Sequence, residues 1–415
     1  MNTNLFIARN LWRKGASVEK GLAASSTLIA GFSVGVSVLV MVLAIAISDG
    51  FKYEIRTKAT GFSGEVILNS PGVEPTTNVY PITKNLSYLK DIKSLPEVKC
   101  IQNFAYRSGM LKSGDEIQGV ILKGIDARYD WKFFSSTLSQ GRLPDYSDTT
   151  VSKEIIVSER LAKMMGFKVG DAVQIYFIDK TIRVGKYELV GLYDAQLEDI
   201  DKTLVITDIR EVQRLNGWTG EDVSGMEILL NDGENIDAAG EKVEKIVLDK
   251  FTEKDPSVAV TKINEVFPHL FDWLKLLDFN VLIVLILMIT VAGFNMISSL
   301  LIILFERISM IGLLKALGMR DSGIHKIFLY RASYIVFWGM LFGNLSAIIL
   351  ALLQKWFALI SLDPSNYFVK SVPIHLDFPK IVLFNMAAFI IIILVLMIPS
   401  LFISKISPDK TIRVK

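Results

Sequence analysis

The chain has 415 residues, 51% of them hydrophobic, and a mean hydropathy of +0.41, which excludes an ordinary water-soluble enzyme. Net charge is only +2, but residues 49–275 hold 29 basic against 36 acidic side chains and the remainder holds 16 against 7. That split predicts a membrane protein whose basic ends stay in the cytoplasm, and a single cysteine, Cys100, excludes an intrachain disulfide framework.

Residues 1–21 are expected to form a cytoplasmic amphipathic segment. Leu5, Phe6 and Trp12 suit the lipid interface while Arg9, Arg13 and Lys14 suit anionic headgroups; a disordered basic leader is the competing reading. Residues 22–48 form the first expected span. Its apolar run, Leu22 to Ile47, is long enough to cross a bilayer and too long for a signal-peptide core, although Ala44-Ile45-Ala46 imitates a cleavage site. Thr27, Gly31 and Gly35 recur every four residues, a small-residue stripe that lets a second helix approach.

Residues 49–275 read as a mixed α/β domain of one or two lobes. Helices are expected over Asn85 to Lys93, Glu159 to Met165, from the Thr207 or Asp208 cap to Asn216, and over Asn235 to Lys250. Strands are expected over Val98 to Met110, Gly119 to Ile125, Ile155 to Val157, Leu204 to Ile206 and Met226 to Leu230. A hairpin joins Ala172 to Ile178 with Lys186 to Leu192. Asp199-Ile200-Asp201 reads as a solvated acidic loop.

Residues 276–305 form the second span, 306–326 a basic connection, 327–353 the third span, 354–380 an outer loop, 381–403 the fourth span and 404–415 a tail. Asn295, inside the second span, is expected to hydrogen-bond to a neighbouring helix, with a transport-path role as the competing reading. Arg331 sits where it can snorkel to the interface. Basic residues cluster before span one, between spans two and three, and after span four. All three clusters are therefore expected in the cytoplasm. Within 306–326, Ile308, Ile311, Leu314 and Leu317 recur every three residues in a helix too short to be stable alone, so a partner surface is expected.

Chemistry is sparse. No G-x-x-x-x-G-K-[ST] loop, G-x-S-x-G elbow or Cys/His pair occurs. His269, His325 and His375 lack metal-ligand spacing. No catalytic residue, metal site, bound cofactor or nucleic-acid partner is expected.

Three stretches resemble the MacB/FtsX-type permeases of ABC transporters, and among these the lipoprotein-releasing LolC/LolE type. They are residues 291–332 (VAGFNMISSLLIILFERISMIGLLKALGMRDSGIHKIFLYRA), Glu154 to Val173 (EIIVSERLAKMMGFKVGDAV), and the chain end with Pro399-Ser400 and Pro408 before Thr411-Ile412-Arg413. The resemblance implies an α-helical membrane protein with four transmembrane helices plus a large mixed α/β extracytoplasmic domain, the MacB-like core, between the first and second. It implies a place in the bacterial inner membrane with both termini cytoplasmic.

It further implies a coupling helix built from Glu306, Arg307, Ile308, Met310, Ile311, Gly312, Leu314, Lys315 and Gly318. That helix would dock on a separate cytoplasmic ABC ATPase dimer carrying the ATP and Mg. A twofold ATPase needs a second permease copy or a paralogue. For lipoprotein-releasing members, the first two spans hold the lipid anchor and the outer domain passes cargo to a periplasmic carrier. Leu43, Ile47, Phe51, Phe271, Leu274 and Leu277 are then the candidate acyl wall, and ordinary helix packing is the competing reading. The chain departs from the family at Met310, where an acidic residue is frequent, and at residues 179–185, which are short and lack proline where the family's carrier hook is extended. Efflux of peptides, drugs or lipids, and FtsX-like regulation of a cell-wall hydrolase, are the alternative functions.

Overall fold

A computed structural model describes residues 22–72, 80–114, 116–147, 150–178, 181–252 and 255–400. The expected N-terminal amphipathic segment and the Pro408 and Thr411–Arg413 motifs lie outside the described residues. Two compact units emerge. One comprises residues 1–52, 274–361 and 371–415, and the other residues 53–273 and 362–370.

Four helices in the described residues are long and apolar enough to cross a membrane. They are the helices Leu22–Ser63, Pro268–Glu306, Asp321–Phe357 and Phe378–Ser400. The first does not stop near residue 48. Its 42 residues extend to Ser63, roughly 63 Å at 1.5 Å per residue, about twice the hydrocarbon thickness of a bilayer. The helix continues past the apolar run because no proline interrupts it before Ser63. The spanning helices share a core in which Val34, Val38, Met296, Leu300, Ile324, Phe328, Val336 and Ile392 are buried.

The second unit is built on a ten-stranded mixed sheet. Its strands run in the order Ala259–Lys262, Val66–Asn69, Gly225–Leu230, Val98–Ser113, Glu116–Ile125, Leu204–Asp208, Glu154–Ser158, Ile182–Tyr193 and Leu138–Gly141. Ala172–Ile178 joins Val98–Ser113 to Ile182–Tyr193. Two pairings are parallel, Glu116–Ile125 with Leu204–Asp208 and Glu154–Ser158 with Ile182–Tyr193. Helix starts follow side-chain chemistry. Ser158 accepts from the Leu161 amide at 2.9 Å, Asp208 from the Arg210 amide at 2.9 Å, and Asn235 from the Asp237 amide at 2.9 Å, each meeting an amide the helix leaves unpaired. Val66–Asn69, Leu138–Gly141 and Ala259–Lys262 escape a sequence reading. They are four residues each, too short to show a period of two.

The acidic stretch at 199–201 is not a solvated loop. Glu198–Asp201 is a helical turn, and Asp201 is 3% exposed. The carboxylate accepts from the Leu197 amide at 3.1 Å, but burial, with Asp194 nearby, raises its pKa to about 7. An acid whose folded pKa is raised stabilises the fold least when ionised. Its cost is absent below the ordinary value near 4, grows as pH rises to 7, and is complete above 7. Asp201→Asn is therefore expected to raise the unfolding temperature at pH 8 and to change it little at pH 4. A pH-independent difference between variant and wild type in thermal melts would contradict this.

Candidate functional site

The linker between spans two and three is set by its backbone. The second spanning helix ends at Glu306, Arg307 leaves helical geometry at φ −104°, and a nine-residue helix, Ile308–Ala316, follows. Gly318 ends it at φ +87°, a left-handed conformation that suits glycine. The Met319 amide donates to the Leu314 carbonyl at 3.0 Å and the Gly318 amide to the Lys315 carbonyl at 2.9 Å, a Schellman closure. Leu314 and Met319 each pack against the spanning-helix core. Lys315 then bridges to Asp321 at 2.8 Å, at the start of the third spanning helix.

This geometry corrects the expected face. Ile311 and Gly312 are buried, and Met310 and Leu314 pack against the same core. The outward residues are Ser309, Leu313, Ala316 and Leu317, with Leu313 57% and Leu317 76% exposed. A three-residue repeat turns only about 300° per step in an α-helix, so a stripe begun at Ile308 has rotated to the opposite side by Leu317. The true outward repeat is four, then three or four. Glu306 is exposed, Arg307, Ile308 and Lys315 are half-buried, and Gly318 acts through its backbone.

The small-residue stripe has a partner that the sequence reading missed. Gly31 and Gly35 face Gly339 and Gly343 of the third spanning helix. A Cβ on Gly339 would stand 2.6 Å from the Gly31 carbonyl oxygen, and one on Gly35 3.2 Å from the Gly339 carbonyl oxygen. Four glycines thus let two backbones touch; the Gly339-x-x-x-Gly343 spacing was the available signal. Thr27 lines the groove beside this contact. Asn295 donates to Ser33 Oγ of the first spanning helix.

At the other end of the bundle, Asp278 pairs with Lys52 and accepts from Ser48 at 3.4 Å, while Lys380 pairs with Asp49. The acyl-wall candidates divide here. Phe51 and Leu274 are buried, and Leu43, Ile47 and Leu277 are half-buried. Phe271 packs with Ala59, Ile236 and Ile263 in the second unit. The face left open on the second spanning helix is instead Leu276, Phe279, Ile283 and Ile286.

Within the second unit, Lys123 Nζ donates to the Phe62 carbonyl in the last turn of the first helix and pairs with Glu227; both side chains are fully buried. Tyr129 donates to Glu227 at 3.2 Å and Gln102 at 3.3 Å. Burial pushes the Lys123 pKa down while the Glu227 carboxylate pulls it up. The connection between spans three and four contributes residues 362–370 to this unit. Lys58 donates to the Phe368 carbonyl at 2.7 Å and to Gln196 at 2.8 Å, and Lys370 pairs with Asp194 at 2.6 Å.

The hairpin expected to connect through 179–185 is tighter, because strand pairing resumes at Ile182 opposite Ile178. Ile178, Ile182 and Val184 are exposed, and Met110 stands opposite Tyr176 in the adjoining strand. They form one outward apolar face.

The MacB-like periplasmic core domain profile matches residues 25–246, and the FtsX-like permease C-terminal profile matches residues 282–408. The lipoprotein-releasing system transmembrane protein LolC of Xylella fastidiosa is 22% identical, with 94% of this chain and 93% of the relative covered. LolC of Neisseria meningitidis is 24% identical over 93% and 92%, and LolE of Haemophilus influenzae 21% over 99% of each. The solved periplasmic region of MacB from Actinobacillus actinomycetemcomitans is similar at 14% identity and a TM-score of 0.35, covering 51% of this chain and 94% of that one. Four spans, a large domain between the first two and both profiles agree: this chain belongs to the MacB/FtsX family of ABC transporter permease subunits, to which LolC and LolE also belong, and which are not themselves enzymes.

Proposed function

We propose that this permease couples ATP hydrolysis by a separate cytoplasmic ABC ATPase dimer to extraction of lipoproteins from the outer leaflet of the inner membrane toward a periplasmic carrier. The observation that carries the coupling role is the linker helix Ile308–Ala316, anchored by Ile311 and Gly312 with Leu313 and Leu317 turned outward. An apolar face on a rigidly seated helix is what a docking element requires. Both termini and this helix then lie in the cytoplasm, as the basic clusters direct, and the outer domain lies in the periplasm. A second permease copy or a paralogue completes the twofold assembly.

Lipoprotein cargo is supported by the names of the full-length relatives and by the open apolar face Leu276, Phe279, Ile283 and Ile286 on the second spanning helix. This face replaces buried Phe51 and Leu274 as the candidate acyl contact. The exposed hairpin face at Ile178, Ile182 and Val184 is the candidate carrier contact despite its short turn. Purification in mild detergent, followed by mass spectrometry of everything that co-purifies, tests the reading. An ATPase, two permease chains and acylated proteins are the expected set. An ATPase with a cell-wall hydrolase and no acylated protein would overturn the cargo assignment while keeping the coupling role.

A further inference from the structure

Residues 362–370, from the connection between spans three and four, form part of the second unit. The turn Pro364–Tyr367 sets up this strap, and the Phe368 amide donates to the Pro364 carbonyl at 2.9 Å. The Leu362 amide donates to the Lys370 carbonyl at 2.8 Å, which closes the strap on itself. Its apolar hold on the unit is slight. Val369 is buried and the Phe368 ring meets Trp273 edge-on at 6.3 Å, but Asn366, Tyr367 and Lys370 are exposed. A segment with so little buried apolar surface lies at the low end of local stability, so its polar contacts decide whether it stays docked.

Those contacts converge on one turn. Lys58 donates both to the Phe368 carbonyl and to Gln196, and Lys370 pairs with Asp194. Phe368 at φ +61° and Gln196 at φ +63° are both left-handed, a conformation that residues bearing a Cβ keep only while neighbours hold it. The next amide, that of Leu197, donates to Asp201 Oδ2 at 3.1 Å. Asp201 Oδ1 is buried with no hydrogen-bond partner among the described residues, a poor place for negative charge. Asp194 opposes ionisation of Asp201, and Lys58 favours it. Tyr193 also faces Asp201, and its hydroxyl donates to the Leu204 carbonyl at 3.2 Å. Further out, Glu54 faces Lys58, Glu159 faces Lys370, and Glu198 pairs with Arg160 and Lys202.

We propose that residues 362–370 are a pH-sensitive strap, docked on the second unit when Asp201 is ionised and loosened when it is protonated. The carboxylate is a stronger acceptor for the Leu197 amide than the neutral acid is, which preserves the turn that presents Gln196 to Lys58. It also stabilises the Lys58 cation that holds the Phe368 carbonyl. Docking that favours the ionised form lowers the docked pKa below the undocked one. Docking is therefore strongest above the undocked value and weakens as pH falls through the docked value. Burial and Asp194 set that docked value at about 7. The strap stands whichever cargo the permease carries.

Hydrogen–deuterium exchange of the full-length protein in detergent, at pH 6 and pH 8 with times scaled to intrinsic amide rates, reads the strap directly. Protection of the peptide covering 362–370 is expected to be about fivefold lower at pH 6, while the strand Leu204–Asp208 keeps its protection. Asp201→Asn, which cannot ionise, should give equal strap protection at both pH values. Lys370→Gln, which removes an exposed anchor, should lower protection at both and retain the pH dependence. Equal wild-type protection at the two pH values would overturn the strap, as would an undiminished pH dependence in Asp201→Asn. Parallel loss of protection in Leu204–Asp208 would do the same, because the whole domain would then be opening.

Discussion

Leu313→Asp combined with Leu317→Asp is expected to leave the protein inserted and folded while abolishing its stimulation of, and response to, the partner ATPase. Both side chains face outward, so the substitution removes no buried contact in this chain. Placing two carboxylates on an apolar docking face costs about 1–3 kcal/mol for each unpaired polar group that is buried, enough together for a loss of roughly a hundredfold in affinity. Ile311→Asp is the contrasting variant. Ile311 is fully buried, so a charge there should lower bundle stability and protein yield before any effect on docking can be read. Charge reversal at Lys315 similarly breaks its pair with Asp321 and confounds coupling with the turn. Normal ATPase coupling in the double-aspartate variant, measured on reconstituted complex, would remove the linker helix from the docking surface. Met310, half-buried against the core, then matters less for partner choice than its departure from the family pattern suggested.

The second large effect is expected at Lys123. Lys123→Met leaves Glu227 as a buried carboxylate without its cation, which costs about 3–5 kcal/mol and should lower the unfolding temperature of the outer domain by roughly 10 °C. Lys123→Met with Glu227→Leu should recover much of that loss, because the pair's attraction is largely offset by the desolvation of both groups. A residual deficit of about 1–3 kcal/mol is expected from the Phe62 carbonyl, the Tyr129 hydroxyl and the Gln102 amide, which lose their partners. Thermal unfolding of the detergent-solubilised protein measures both variants. If the double variant is as unstable as the single one, the charge pair is not the source of the cost. Lys123, in a central strand, donates to the Phe62 carbonyl in the last turn of the helix Leu22–Ser63.

Much of the secondary structure was legible locally. Ser158, Asp208 and Asn235 announce helix starts through side-chain oxygens, and Gly166 and Gly217 end two of those helices. The spans were legible from apolar length, because lipid offers the backbone no partners. The face of the linker helix was not legible. Nine mostly apolar residues carry no contrast between inward and outward positions, and only the packing of Ile311 and Gly312 decides which way Leu313 points. The burial of Phe51 and Leu274 was not legible for the same reason, since an apolar side chain at a helix end serves a lipid surface and a protein core equally well.

Apolar length, charge asymmetry and cap chemistry by themselves determined that this chain is a four-span membrane protein with an acidic α/β domain after the first span, since each depends on residues close in sequence. Tertiary structure alone decided which faces are spent on packing and which remain for partners. It placed Gly339 and Gly343 against Gly31 and Gly35, buried Asp201 in what read as a solvated loop, and joined Lys123 to Phe62 and Glu227. Those contacts link residues tens to hundreds of positions apart. Their free energy exists only once the chain has closed on itself, so no local pattern announces them.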